Sequence, residues 1–363
     1  MSPEIYSFLS SSPAQYPWEN NSGGYPHLVR DAQAIDDGGY AGALVATGIG
    51  AGPDPWVTSA SVIGATSRMK FLLAIHPTVT TPATLAKQVA TFDELSNGRI
   101  LTNIVTGSLS NTAGRLGGTA AAGVALDHDA RYRYTDEFLH VYKELISGRG
   151  VDFAGEFISI TGGFIGIRPV QKPYPPIWFG GSSDAAIEVA AKHADVYATW
   201  GEPWELLTDK ISRARAAAAK QGRTIKVGCQ FNVIVRDTKE EAWAAAQELL
   251  DRADDGFIEK FLANLAAGDS VGQLRQLGFH AGKRPTHARE LEIEPDIWSG
   301  FGLLRVGPGL AIVGDPETVA ARLRDYAAAG IDAFILQNWP YVEETERIAR
   351  DVLPLLTDSL SRL

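Results

Sequence analysis

From end to end the chain alternates short runs of β-branched and aromatic residues with longer stretches whose apolar positions recur three and four apart. The short runs predict strands over 4–9 (EIYSFL), 42–47 (GALVAT), 70–75 (KFLLAI), 99–105 (RILTNIV), 176–181 (PIWFGG), 195–200 (DVYATW), 224–235 (TIKVGCQFNVIV) and 332–337 (DAFILQ). Helical periodicity follows nearly every one, over 27–38, 82–96, 129–147, 183–193, 203–221, 238–251 and 341–356 among others. Eight strands, each backed by a helix, predict an α/β fold of the closed (β/α)8 type, a TIM-like barrel; an open doubly wound sheet fits less well, since it would leave eight strands with two edges.

Three stretches break the rhythm. Residues 150–168 alternate in period two around Ala154-Gly155, which predicts a small hairpin added after the fourth helix. Residues 252–313 hold a helical pattern followed by a polar, Gly-rich stretch, and a loop of that length inside one domain is read as a lid or binding loop. A Gly/Ala-rich segment at 107–123 follows the fourth strand and is read as a mobile insertion. No repeat or linker divides the chain, so residues 1–363 are read as one domain.

Composition narrows the chemistry. With 45% hydrophobic and 21% charged residues the chain is ordinary for a soluble globular protein, and a net charge of −10 speaks against a nucleic-acid surface. Cys229 is the single cysteine, and no Cys/His set has zinc spacing. Neither a secretory signal nor a membrane-spanning run is visible, so a cytoplasmic location is expected.

In a barrel the chemistry gathers at the C-terminal ends of the strands. Those ends carry Thr47, His76, Thr106, Ser182, Ser183, Trp200, Asn232 and Trp339, with no carboxylate pair and no metal set. Asp93, Glu94 and Asp136 fall on helices and are read as solvated or capping residues, so a glycosidase or a metal-dependent hydrolase is poorly supported. At the fifth strand, Gly180 and Gly181 expose bare backbone and two serines open a helix. One reading makes this a phosphate cradle of helix N–H groups and hydroxyls. The other has Ser183 merely capping the helix while the glycines turn the chain. From this stretch alone both stand. His128 and Tyr132, four apart, share a helical face, and His76 ends an apolar strand where a structural and a functional role carry comparable weight.

Several long motifs in order, LSNGRILTNIVTG (95–107), LDHDARYRYTDEF (126–138), PVQKPYPPIWFGGSSDAA (169–186), TWGEP (199–203), DSVGQ (269–273) and AIVGDPETVAARLRDYAAAGID (311–332), resemble the bacterial luciferase-like flavin monooxygenases, most closely their alkanesulfonate monooxygenase branch. The resemblance implies a (β/α)8 barrel that takes reduced FMN from a separate NAD(P)H-dependent flavin reductase, reacts it with O2 and oxygenates a small molecule. It implies that Gly181, Ser182 and Ser183 hold the FMN phosphate and that His128 and Tyr132 flank the phosphate and ribityl chain. Thr106 then lies near the isoalloxazine, and Thr47 and His76 line the flavin pocket. Trp200 walls the substrate space, Arg305 matches the mobile-loop arginine of the family, and a homodimer or homotetramer is expected.

The chain also departs from that branch. An Arg-x-His pair on strand seven is replaced by Gln230 and Asn232, an arginine after strand three by His76, and a Tyr-Pro-His after strand eight by Trp339-Pro340-Tyr341, while TGIGAGPDPW (47–56) lacks the branch's cysteine. Losing cationic donors weakens sulfonate recognition, because charge-assisted hydrogen bonds are roughly twice as strong as neutral ones. A neutral or less acidic small molecule, such as another organosulfur compound, therefore suits Trp200, Gln230, Asn232, Trp339 and Tyr341, with His76, Trp200, Asn232 and Arg305 as the catalytic candidates. Two rivals remain: a deazaflavin-dependent oxidoreductase, and a flavin-binding protein without turnover.

Overall fold

Eight parallel strands close on themselves in a computed structural model of the protein that describes residues 2–19, 21–47, 53–106, 126–266, 270–280 and 285–357. The barrel strands are β1 (Glu4–Phe8), β2 (Gly42–Val45), β3 (Lys70–Ile75), β4 (Ile100–Val105), β5 (Ile177–Gly180), β6 (Val196–Trp200), β7 (Lys226–Val235) and β8 (Ala333–Gln337). Each pairs with its sequence neighbour, and β8 returns to β1 with Glu4 opposite Ala333. All eight coincide with the predicted runs to within two residues at either end, and the closed barrel replaces any open sheet.

The helices are α1 (Gly24–Asp37), α2 (Pro55–Ser61), α3 (Pro82–Leu95), α4 (His128–Ile146), α5 (Asp184–His193), α6 (Trp204–Lys220), α7 (Lys239–Arg252), α8 (Asp255–Ala266), α9 (Val271–Gly278), α10 (Pro316–Ala328), α11 (Tyr341–Asp351) and α12 (Leu353–Thr357). Their starts are set locally. Thr81, Asp127, Ser183 and Asp315 each accept a backbone N–H of the first turn, and Thr238 with Glu241 forms a capping box. Apolar faces of the helices bury against the outside of the barrel.

Inside, alternation sends every second side chain to the axis. Tyr6, Leu44, Leu72, Leu101, Trp178, Val196 and Ile335 fill that space, with Tyr6 edge-on to Trp178 at 5.3 Å between ring centroids. Trp178 is accommodated only because β7 carries Gly228, where a Cβ would sit 2.5 Å from the indole.

Two insertions have clear form. Val151–Ala154 and Ser159–Gly163 make the predicted antiparallel hairpin. After α7 the expected helical pattern is present, and the polar stretch expected as a loop differs in carrying short strands. The whole segment contains α8, α9 and the short strands Glu292–Glu294, Ile297–Trp298 and Ala311–Gly314. The last of these pairs in parallel with β7 beyond Gln230, where β6 stops. Trp243, Trp298, Phe301 and Val313 give the segment its own apolar cluster; runs as short as Ile297–Trp298 are too brief to register as periodic. The insertion expected at 107–123 lies outside the described residues.

Overpacking a filled core costs about 1–3 kcal/mol. Gly228→Ala should therefore lower the urea midpoint of unfolding at unchanged slope, and a variant as stable as the parent would contradict this account of the barrel core.

Candidate active site

Parallel pairing brings the C-terminal ends of all eight strands to one rim. Along each strand the alternation that places apolar residues low in the barrel places Asn103, Trp200, Gln230, Asn232 and Gln337 above them, with His76 one residue past β3. Asp93 and Asp136 are not part of this rim. Asp93, expected to be solvated, is buried and accepts the backbone N–H and the side-chain amide of Gln171 at 2.8 and 2.7 Å. Asp136 bonds Lys192 and His193, and those bonds outweigh partial burial to hold its carboxyl at about 2.

At the mouth of α5, Ser183 is the N-cap, its Oγ accepting the Ala186 N–H at 3.2 Å. The capping role is thus real, and it leaves the Ser183 hydroxyl hydrogen as a free donor. Ser182 takes no part in the cap: its Oγ accepts a hydrogen from Lys210 Nζ at 3.3 Å. Tyr197 donates to the Gly181 carbonyl at 2.6 Å, and a Cβ on Gly181 would lie 2.5 Å from Ala186 Cβ and 3.4 Å from Tyr132 Oη. Only glycine fits there. Tyr132 packs 5.1 Å from the His128 ring, and His128 Nδ1 lies 2.8 Å from Asp129 Oδ1. Gly181, Ser182, Ser183 and Tyr132 therefore converge at one helix start, with the His128 ring packed at a tilt against Tyr132. The first turn of α5 offers unsatisfied N–H groups and a partial positive charge there.

Next to this cradle, the neighbouring strands β3 and β4 end in His76, Asn103 and Thr106. His76 is 8% exposed; burial holds its imidazole down at about 4, against the opposing hydrogen bond with the Val105 backbone. It is neutral at pH 7. His76 Nδ1, Thr78 Oγ1 and Asn103 Oδ1 are buried and meet no partner among the described residues. Each such atom costs about 1–3 kcal/mol unless a ligand completes its bonds. A flat heterocycle with donors and acceptors on its edge and a phosphate on its tail, as FMN has, fits this donor set and the cradle beside it. Thr106 is buried, and Thr47, past β2, is half-buried.

The far side of the rim is built around Arg305. Its guanidinium lies 4.9 Å over the Trp339 ring and 3.4 Å from Asn232 Oδ1, and burial brings it down to about 10, so it stays charged. Asn232 is fully buried, its amide donating to the Pro308 and Leu310 carbonyls at 2.7 and 3.0 Å, so it meets a ligand through Arg305. Gln230 donates to Gln337 at 3.1 Å, which in turn donates to Tyr341 Oη at 3.3 Å. Trp339 and Tyr341 pack at 5.3 Å, and Phe8 stacks on Tyr341 at 5.7 Å. Helix α9 binds these parts together: Gln273 and Gln276 accept the N–H groups of Gly307 and Gly309, Gln276 donates to the Gly201 carbonyl, and Gly272 abuts Ser182 and Trp200.

Residues 7–333 match the family described as luciferase-like monooxygenase. The chain belongs to the luciferase-like monooxygenase family. Among solved structures it is similar to the long-chain alkane monooxygenase LadA (21% identity, 99% of this chain and 92% of that one, TM-score 0.77). It is similar also to DmoA from Hyphomicrobium sulfonivorans (21%, 99% and 88%, 0.76) and to an F420-dependent secondary alcohol dehydrogenase (17%, 99% and 100%, 0.71). At such identities the likeness shows the shared barrel, and family membership supports an oxidoreductase. No described helix is long and apolar enough to cross a membrane.

In this luciferase-like monooxygenase the site includes residues that pattern reading passed over. Lys210 interrupts the apolar stripe Leu207, Ile211, Ala214, Ala218 of α6, and a charged residue on a buried face was the available signal. Asn103 sits at an inward position of an otherwise apolar strand, which was the signal for it. Tyr197 gave none.

His76 also sets an acid response. Its folded value lies below the usual 6.5, so the unfolded chain binds a proton that the folded chain does not. Stability is full above 6.5 and is lost as pH falls toward about 4. His76→Gln should flatten the pH dependence of stability across that window in denaturant titrations; an unchanged slope would contradict the buried, neutral imidazole.

Proposed function

We propose that this luciferase-like monooxygenase uses reduced FMN and O2 to oxygenate a small, weakly charged organic substrate, receiving the flavin from a separate NAD(P)H-dependent reductase. The observation that carries the reading is the adjacency, along β3, β4 and β5, of unpartnered buried ring-binding groups and a phosphate cradle. When bound, reduced flavin supplies the electrons that activate O2. The chain's own part is positional. Ser182, Ser183 and the start of α5 hold the phosphate. Neutral His76 and the amide of Asn103 orient the ring's polar edge, each offering donor and acceptor without charge. Trp200, Trp339 and Tyr341 exclude water from the reacting face, which strengthens every polar contact inside.

Arg305 is the cation of the substrate side, held by Trp339 and Asn232. Gln230 and Asn232 stand where an alkanesulfonate enzyme of the resembling branch carries its Arg-x-His pair. That arrangement supports an uncharged or singly polar group, such as a sulfone, over a sulfonate. A deazaflavin reading has its own support, since two similar structures are F420-dependent enzymes by description. The motifs at 95–107, 126–138 and 169–186 favour FMN.

Rapid mixing of the protein with FMNH2 and O2 should change the time course of flavin reoxidation in proportion to protein. In a reductase-coupled screen with 18O2, one labelled atom should enter the product. Flavin oxidation indifferent to the protein at every concentration, or tighter binding of F420 than of FMN, would contradict the proposal. Arg305→Ala should depress turnover by at least about tenfold while leaving FMN affinity unchanged, as expected for a charge on the substrate side worth about 1.4 kcal/mol or more.

A further inference from the structure

The floor of the cradle holds an ionic cluster that helix capping does not need. Lys210 Nζ reaches Glu202 Oε1 at 2.5 Å, Thr199 Oγ1 at 3.1 Å and Ser182 Oγ at 3.3 Å, and both Lys210 and Glu202 are about 1% exposed. Arg275 of α9 donates to the same carboxylate, 3.1 Å from Oε1 and 3.4 Å from Oε2. Two cations thus share one carboxylate, and among the described residues one positive charge is left over beneath Ser182.

An ammonium has three hydrogens and no acceptor. All three of Lys210 are taken, so the Ser182 oxygen acts as acceptor toward the floor and its own hydrogen is directed away from it. A buried ion pair is weak evidence for stability, since a packed apolar residue does as well or better. The stripe on α6 would accept a methionine without loss of packing. An ionic group kept at this position is therefore better explained by what lies above it.

We propose that Lys210 is a positioning residue for a phosphate monoester. Held by Glu202 and reinforced by Arg275, it sets the Ser182 hydroxyl as a donor and places a net positive charge under the cradle, so that the site selects FMN over phosphate-free riboflavin. This rests on the cradle reading above and adds to it the groups that give phosphate selectivity. Because Arg275 belongs to α9, the helix that also holds the Arg305 loop, phosphate binding and the placement of that loop share one anchor.

The test is the ratio of dissociation constants for oxidised FMN and riboflavin, read by flavin fluorescence in the parent protein, in Lys210→Met, in the double variant Lys210→Met/Glu202→Gln and in Arg275→Gln. The double variant removes the pair together, so no lone buried carboxylate threatens the fold, and Arg275→Gln alters a half-exposed side chain. The parent should prefer FMN by at least about tenfold, as charge-assisted contacts to a phosphate predict. Both Lys210 variants should lose most of that preference with riboflavin affinity unchanged, and Arg275→Gln should lose part of it. A parent without preference would overturn the cradle reading itself. A parent that prefers FMN, with Lys210 variants that keep the full ratio or weaken both ligands alike, would overturn the role given to Lys210 and leave the cradle standing.

Discussion

Closing eight parallel strands into a barrel leaves its interior too narrow for anything but side chains, and that constraint governs everything else in the molecule. Tyr6, Trp178, Leu72 and Leu101 fill the axis, and Gly228 gives up its side chain so that the indole fits. Polar inward positions are then tolerable only near an end of the barrel. Parallel pairing makes that the end where every strand finishes, so His76, Asn103, Trp200, Gln230 and Gln337 meet there although they are far apart in the chain.

What the barrel does not hold rigidly, helix α9 does. It joins the end of β6 through Gly201 and Glu202, the Arg305 loop through Gly307 and Gly309, and the cradle through the contact of Gly272 with Ser182. Apart from the close approach of Gly272, these joints are directional hydrogen bonds, so they specify geometry more than they add stability. Helix α9 is thereby the element that sets the start of α5 and the Arg305 loop in register.

The strands and helices were legible because their periods are clean, and the crowded start of α5 stood out because two glycines and two serines exceed what a capped helix needs. The division of labour between the serines was not legible. Ser183 caps and Ser182 faces Lys210, and only coordinates show that Lys210, 28 positions on, returns beneath it. Asp93 misled for the same reason, since its partner Gln171 comes from a distant stretch. Spacing predicts what one element presents; it is silent on which elements meet. The strand Ile297–Trp298 escaped because two residues carry no measurable period.

A flavin gripped by its phosphate at the start of α5, with the ring laid toward His76 and Asn103, is the centre of the account. The crystal structure of the complex with FMN measures this most directly. The account places the phosphorus within hydrogen-bonding reach of Ser182, Ser183 and the first N–H groups of α5, and the ring's polar edge against His76 and Asn103. A phosphate located on the Arg305 side of the rim, or a ring that leaves His76 and Asn103 unpartnered, would contradict it.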